Sequence, residues 1–196
     1  MTLNQALFPA QSLMTRIAMV VAGSALIAIA AQISVPMFPV PMTLQTLAIL
    51  IVGLSFGSRL GALTVLAYLA EGAAGLPVFA NGGNTAALAG PTAGFLVGFV
   101  GLAWLAGFAV QRGLSNLPGM AVAGLVASAL LYIPGIAWPM LLASAAGVDA
   151  GWAGGNVAYY WGGFMAPFLI GDAVKAVIAA LVVAGGWSVL KARKAG

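Results

Sequence analysis

Asp172 and Lys175 lie three residues apart in an otherwise apolar stretch, so a helix places them on one face. An ionisable group is costly in apolar surroundings and marks a functional site by default. Lys175 is suited to binding a substrate carboxylate directly. Asp172 either holds that lysine while the site is empty or accepts hydrogen bonds from ligand N–H groups. The alternative is an internal ion pair that only fixes the fold. Pro167 reads as the first turn of the helix that carries the pair. That placement predicts a nearby helix N-terminus, which favours anions.

Three polar residues join them. Gln45 follows the Pro39-Val-Pro41 break and is expected in the first turns of a helix, as a ligand contact or as an ordinary interfacial glutamine. Asn81 and Asn84 lie in the segment 72–92, where glycine, proline and asparagine break regular structure. Either asparagine is a contact or a turn residue tolerant of left-handed backbone. Tyr159, Tyr160 and Trp161 add aromatic surface, which also fits a membrane-interface belt.

The composition dictates what must hold these groups. Of 196 residues, 63% are hydrophobic and 5% charged, and the mean hydropathy is +1.11. A soluble domain carries about a quarter charged residues, so a water-soluble enzyme, a disordered chain and a nucleic-acid binder are excluded. The chain reads as an integral membrane protein built from helices, with room for roughly five to seven spans. It contains no cysteine and no histidine, which removes disulfides, thiolate nucleophiles and the usual zinc and haem ligands. Three acidic residues, at 71, 149 and 172, supply neither a metal-binding cluster nor a proton relay. No metal site and no catalytic residue is therefore expected. No GxxxxGK[ST] loop occurs, so energy for uphill transport must come from a partner or an ion gradient.

Uncharged runs and their punctuation predict one membrane domain over 1–196, with spans at 17–35, 43–57, 60–71, 92–111, 119–142 and 164–190. Six spans put Arg16, Arg59, Arg112 and the Lys191, Arg193, Lys194 tail on one side, with Glu71 and Asp149 on the other. The positive-inside rule makes the basic side cytoplasmic, with both termini inside. The competing reading of the first span is a cleavable signal peptide ending near Ala28-Ile29-Ala30. Small residues recur at four-residue spacing in Ala18/Ala22, Gly53/Gly57/Gly61 and Gly90/Gly94/Gly98, which lets helix backbones approach closely. The glycines suit packing within the bundle, and Ala18/Ala22 also suits docking onto another membrane protein. With this topology Gln45, Asn81, Asn84, Asp172 and Lys175 converge on the outer half of the bundle. Segments 36–41 and 72–92 lie over them as covers, an arrangement suited to capturing a small amphipathic carboxylate from outside.

Several segments together resemble the BioY family, the biotin-specific substrate-binding (S) components of energy-coupling-factor (ECF) transporters. They are Phe38-Pro-Val-Pro-Met-Thr-Leu-Gln45, Gly53 through Gly61 with Arg59, Gly75-Leu-Pro-Val-Phe79, Gly90-Pro-Thr92 and Gly171-Asp172-Ala-Val-Lys175-Ala176. The chain departs from the family pattern at Ala93 and Phe95. The resemblance implies an all-α integral membrane fold, a six-helix bundle of the S-component type, in a bacterial inner membrane. It implies biotin as substrate, no cofactor, and partners in a transmembrane coupling protein and a pair of ABC ATPases that alone use ATP. Gln45, Asn84, Asp172 and Lys175 inherit the expected ligand contacts, and Ala18 and Ala22 the docking role. Asn81, Phe38 and Tyr159 join as secondary contacts, Phe38 against the apolar rings of biotin. The rival readings are an S component for another small vitamin, an intramembrane enzyme acting on a lipid, and a structural scaffold.

Overall fold

The computed structural model describes residues 2–7 and 12–195; the side chains of Gln5, Arg193, Lys194 and Ala195 lie outside the described set. A short α1 (Leu3–Leu7) precedes α2 (Leu13–Gln32), whose first turn is capped where Ser12 Oγ accepts from the Thr15 amide at 3.1 Å. A two-residue antiparallel hairpin, β1 (Ser34–Val35) with β2 (Met42–Thr43), returns the chain to α3 (Gln45–Phe56). Gly57, at φ 85°, turns α3 directly into α4 (Ser58–Ala73). Two short 3₁₀ turns, Ala80–Gly82 and Thr85–Ala89, occupy the glycine-rich segment ahead of α5 (Ala93–Gln111).

The last third of the chain forms two long rods. The first is α6 (Leu117–Ala137), a π turn at Trp138–Leu142 and α7 (Ala143–Ala145). The second is α8 (Val157–Tyr160), a π turn at Trp161–Met165 and α9 (Ala166–Ala195). Each widened turn adjoins a proline, Pro139 in the first rod and Pro167 in the second, whose missing N–H interrupts the α ladder. Pro167 therefore lies inside a continuous helix. This corrects the expectation that Asp172 and Lys175 sit near the N-terminus of the last span.

Six helices, α2, α3, α4, α5, α6 and α9, make one bundle. Four of the rods are long and apolar enough to cross a membrane, Leu13–Gln32, Ala93–Gln111, Leu117–Ala145 and Val157–Ala192. Their outward faces are apolar, with Val97, Ile133 and Ile170 all exposed, as a lipid-facing surface requires. Because lipid tails are as apolar as these side chains, close packing must hold the bundle together. Helix α5 lies against α3, α4 and α6, and the approaches are glycine-lined. A Cβ on Gly53 would stand 2.6 Å from the Ala103 carbonyl oxygen, and one on Gly94 would run into that of Pro134.

The short third helix positions the site. At 12 residues it is about 18 Å long, against about 30 Å of bilayer hydrocarbon. The space beyond its first residue is left to the hairpin loop and the 79–92 segment. Glu71 lies in the last turn of α4, close to the expected end of the span, and its carboxylate accepts from Ser24 Oγ at 2.7 Å.

Candidate substrate-binding site

The space above α3 is a cavity of about 380 Å³. Its floor is polar. Gln45 opens α3, its amide donating to Thr43 Oγ1 at 3.1 Å and its side-chain oxygen accepting from the same hydroxyl at 3.0 Å. Gln45 Nε2 donates to the Tyr68 hydroxyl at 2.6 Å. Beside it, Lys175 Nζ donates to Asp172 Oδ1 at 3.2 Å and to Thr46 Oγ1 at 3.1 Å. Asp172 Oδ2 accepts from the Tyr132 hydroxyl at 2.6 Å. Asp172 and Lys175 are only 8% and 7% exposed, so both charges depend on these partners. A lysine ammonium carries three N–H donors. Among the described residues two are used, and the third is available to a ligand. The N-termini of α3 and α5 both border the cavity, and their positive dipole ends add to the preference for an anion.

The walls are apolar and aromatic: Phe95, Leu96, Phe99, Phe164 and Phe168. Residues Pro39 to Met42 close one side of the mouth, and Phe79 to Asn81 with Ala86 and Ala87 close another. The glycine-rich cover is held by specific bonds. Gln32 Nε2 donates to the Phe79 carbonyl at 3.1 Å, and Gln32 Oε1 accepts from the Gly82 amide at 3.0 Å. The Tyr68 hydroxyl donates to the Val78 carbonyl at 3.1 Å, while its ring meets Phe79 edge-on at 5.3 Å between centroids. Trp138 Nε1 donates to the Gly90 carbonyl at 2.9 Å.

The structure thus gathers Gln45, Asp172, Lys175 and Asn81 around one cavity. Asn81 adopts φ 56°, the left-handed conformation asparagine tolerates, and its Oδ1 accepts from Ser34 Oγ at 2.8 Å. Asn84 does not line the cavity; its side chain caps the second 3₁₀ turn by accepting from the Ala86 amide at 3.3 Å. Phe38 points outward, 87% exposed. Tyr159 packs against Tyr160 and Phe164, reaching the cavity only through the Phe164 ring. Tyr132, Thr46 and Tyr68 were not legible as site residues, because a lone tyrosine or threonine in an apolar helix has no pattern of its own. Only the position of Thr46 beside Gln45 hinted at its place.

Residues 3–192 match the model of the BioY family. The chain belongs to the BioY family. Among relatives, a probable biotin transporter BioY of Pyrococcus horikoshii is 35% identical over 81% of this chain and 87% of its own length. A biotin transporter BioY of Rhizobium etli is 37% identical over 82% of this chain and 87% of its own length. The crystal structure of an S-component for biotin from an ECF-type ABC transporter superposes with a TM-score of 0.66, covering 95% of this chain and 96% of that one at 22% identity. At that identity the likeness is one of fold. The fold is the six-helix bundle of ECF S components.

Proposed function

We propose that this chain is the membrane-embedded, biotin-capturing subunit of a vitamin uptake system. The observation that carries the reading is the buried Asp172–Lys175 pair at the floor of a largely apolar cavity, with one lysine donor unused among the described residues. Biotin presents a carboxylate, a ureido group with both N–H and C=O, and an apolar bicycle. Lys175 takes the carboxylate. Asp172, Gln45 and Asn81 take the ureido donors and acceptor, and the phenylalanine walls take the rings and the aliphatic chain. Asn84 acts by shaping the cover.

The chain acts as a binding subunit, not as an enzyme, in a bacterial inner membrane with its basic end and both termini cytoplasmic, as the positive-inside rule directs. It works with a transmembrane coupling protein and a pair of ABC ATPases. Ala18 and Ala22 lie exposed on the outward face of α2, where their small size permits close approach of a partner helix. A vitamin competition panel against labelled biotin tests the substrate. Biotin alone should displace the label at stoichiometric concentration. Displacement by a different vitamin, with unlabelled biotin ineffective, would overturn the assignment.

A further inference from the structure

A second cavity opens at the basic end of the bundle, between α2, α4 and α5, as a groove of about 1280 Å³. It exists because α2 stands away from its neighbours there. Leu13, Arg16, Val20, Ile27 and Ala31 recur at helical spacing, so they share one face. At the outer end that face is sealed, with Ile27 fully buried. At the basic end it is open: Ile17 is 49% and Val21 59% exposed, although both point towards α4 across the groove. Leu63 and Leu66 of α4 and Trp104 of α5 form the opposing wall and are likewise exposed. An apolar gap at membrane depth is filled by hydrocarbon, not by water.

The mouth of the groove is cationic. Arg16 and Arg59 both line it, and neither guanidinium has an ion pair or hydrogen bond among the described residues. The chain has only three acidic side chains to offer. Asp172 is paired with Lys175, Glu71 is bonded by Ser24, and Asp149 lies in the loop before α8. The counter-anion must therefore come from outside these residues. Apolar walls ending in two guanidiniums complement a molecule with acyl chains and a phosphate head. We propose that this groove binds an anionic glycerophospholipid, its phosphate between Arg16 and Arg59 and an acyl chain along α2 and α4. The lipid then completes the packing of the inner half of α2. Ala18 and Ala22 face away from the groove, so the lipid leaves their surface free.

Native mass spectrometry of the detergent-purified chain, titrated with phosphatidylglycerol or phosphatidylcholine, tests this. Phosphatidylglycerol should bind in preference, and Arg16→Gln/Arg59→Gln should weaken it on the order of thirtyfold. Lys191→Gln, at the same end but outside the groove, should leave it unchanged. Excess inorganic phosphate should not displace the lipid; displacement would reduce the site to one for a free anion and overturn the proposal. Equal binding of both lipids, or full phosphatidylglycerol binding by the double variant, would also overturn it. Should the double variant melt at a lower temperature than the parent, Ala67→Trp supplies an independent test. It fills the groove with both arginines intact and should exclude the lipid; retention would refute the site.

Discussion

Replacing Lys175 with methionine separates binding from folding. The ammonium is 3.2 Å from Asp172 Oδ1, and that carboxylate keeps only the Tyr132 hydroxyl once the lysine is gone. Stranding one partner of a buried pair costs about 3–5 kcal/mol, which a fall in the thermal unfolding midpoint in detergent reports. The charge-assisted bond to the biotin carboxylate, about 1.5–3 kcal/mol, is lost as well, and that is about 10- to 100-fold in Kd. The two effects part in the double variant Asp172→Asn/Lys175→Met. With both charges removed, no ion is left stranded and stability returns towards the parent, while biotin affinity stays low. Paired melting curves and biotin titrations on the parent and both variants give the result. Recovered affinity in the double variant would show that Lys175 acts only by neutralising Asp172. Parent-like binding by Lys175→Met would remove the lysine from the site altogether.

Other substitutions test separate parts of the account. Tyr68→Phe leaves Gln45 Nε2 and the Val78 carbonyl without their shared partner, at about 1–3 kcal/mol. Hydrogen exchange in 79–83 should accelerate and biotin affinity should fall about tenfold; unchanged exchange would refute the tether. Gly94→Val drives a side chain into the Pro134 carbonyl and should lower stability by about 1–3 kcal/mol, seen as a lower melting midpoint; a parent-like midpoint would mean that α5 and α6 pack more loosely than described. Ala18→Trp/Ala22→Trp should leave biotin binding intact and abolish uptake into cells that also express the coupling protein and ATPases. Normal uptake would place the docking surface elsewhere.

The six-helix bundle and its charge asymmetry were legible because lipid imposes long apolar runs and the basic residues cluster at their ends. The convergence of Gln45 and the Asp172–Lys175 pair followed from that topology. The hydrogen-bonded floor did not, since the Gln45–Tyr68 and Tyr132–Asp172 contacts join helices far apart in sequence. Pro167 misled for a local reason: a π turn absorbs its missing amide bond and lets the helix run back to Val157. Asn81 and Asn84 are the same residue type in the same loop. Which one faces the cavity is decided by the Phe79–Gly83 bridge and the Ser34 hydroxyl, contacts made across elements far apart in sequence.

Calorimetric titration of the detergent-purified chain with biotin, after exhaustive removal of any co-purified ligand, decides whether this chain binds biotin at Lys175. Saturable binding at one biotin per chain, lost on Lys175→Ala and retained on Lys191→Ala, is the predicted result. No heat with biotin, or equal losses in the two variants, would contradict it.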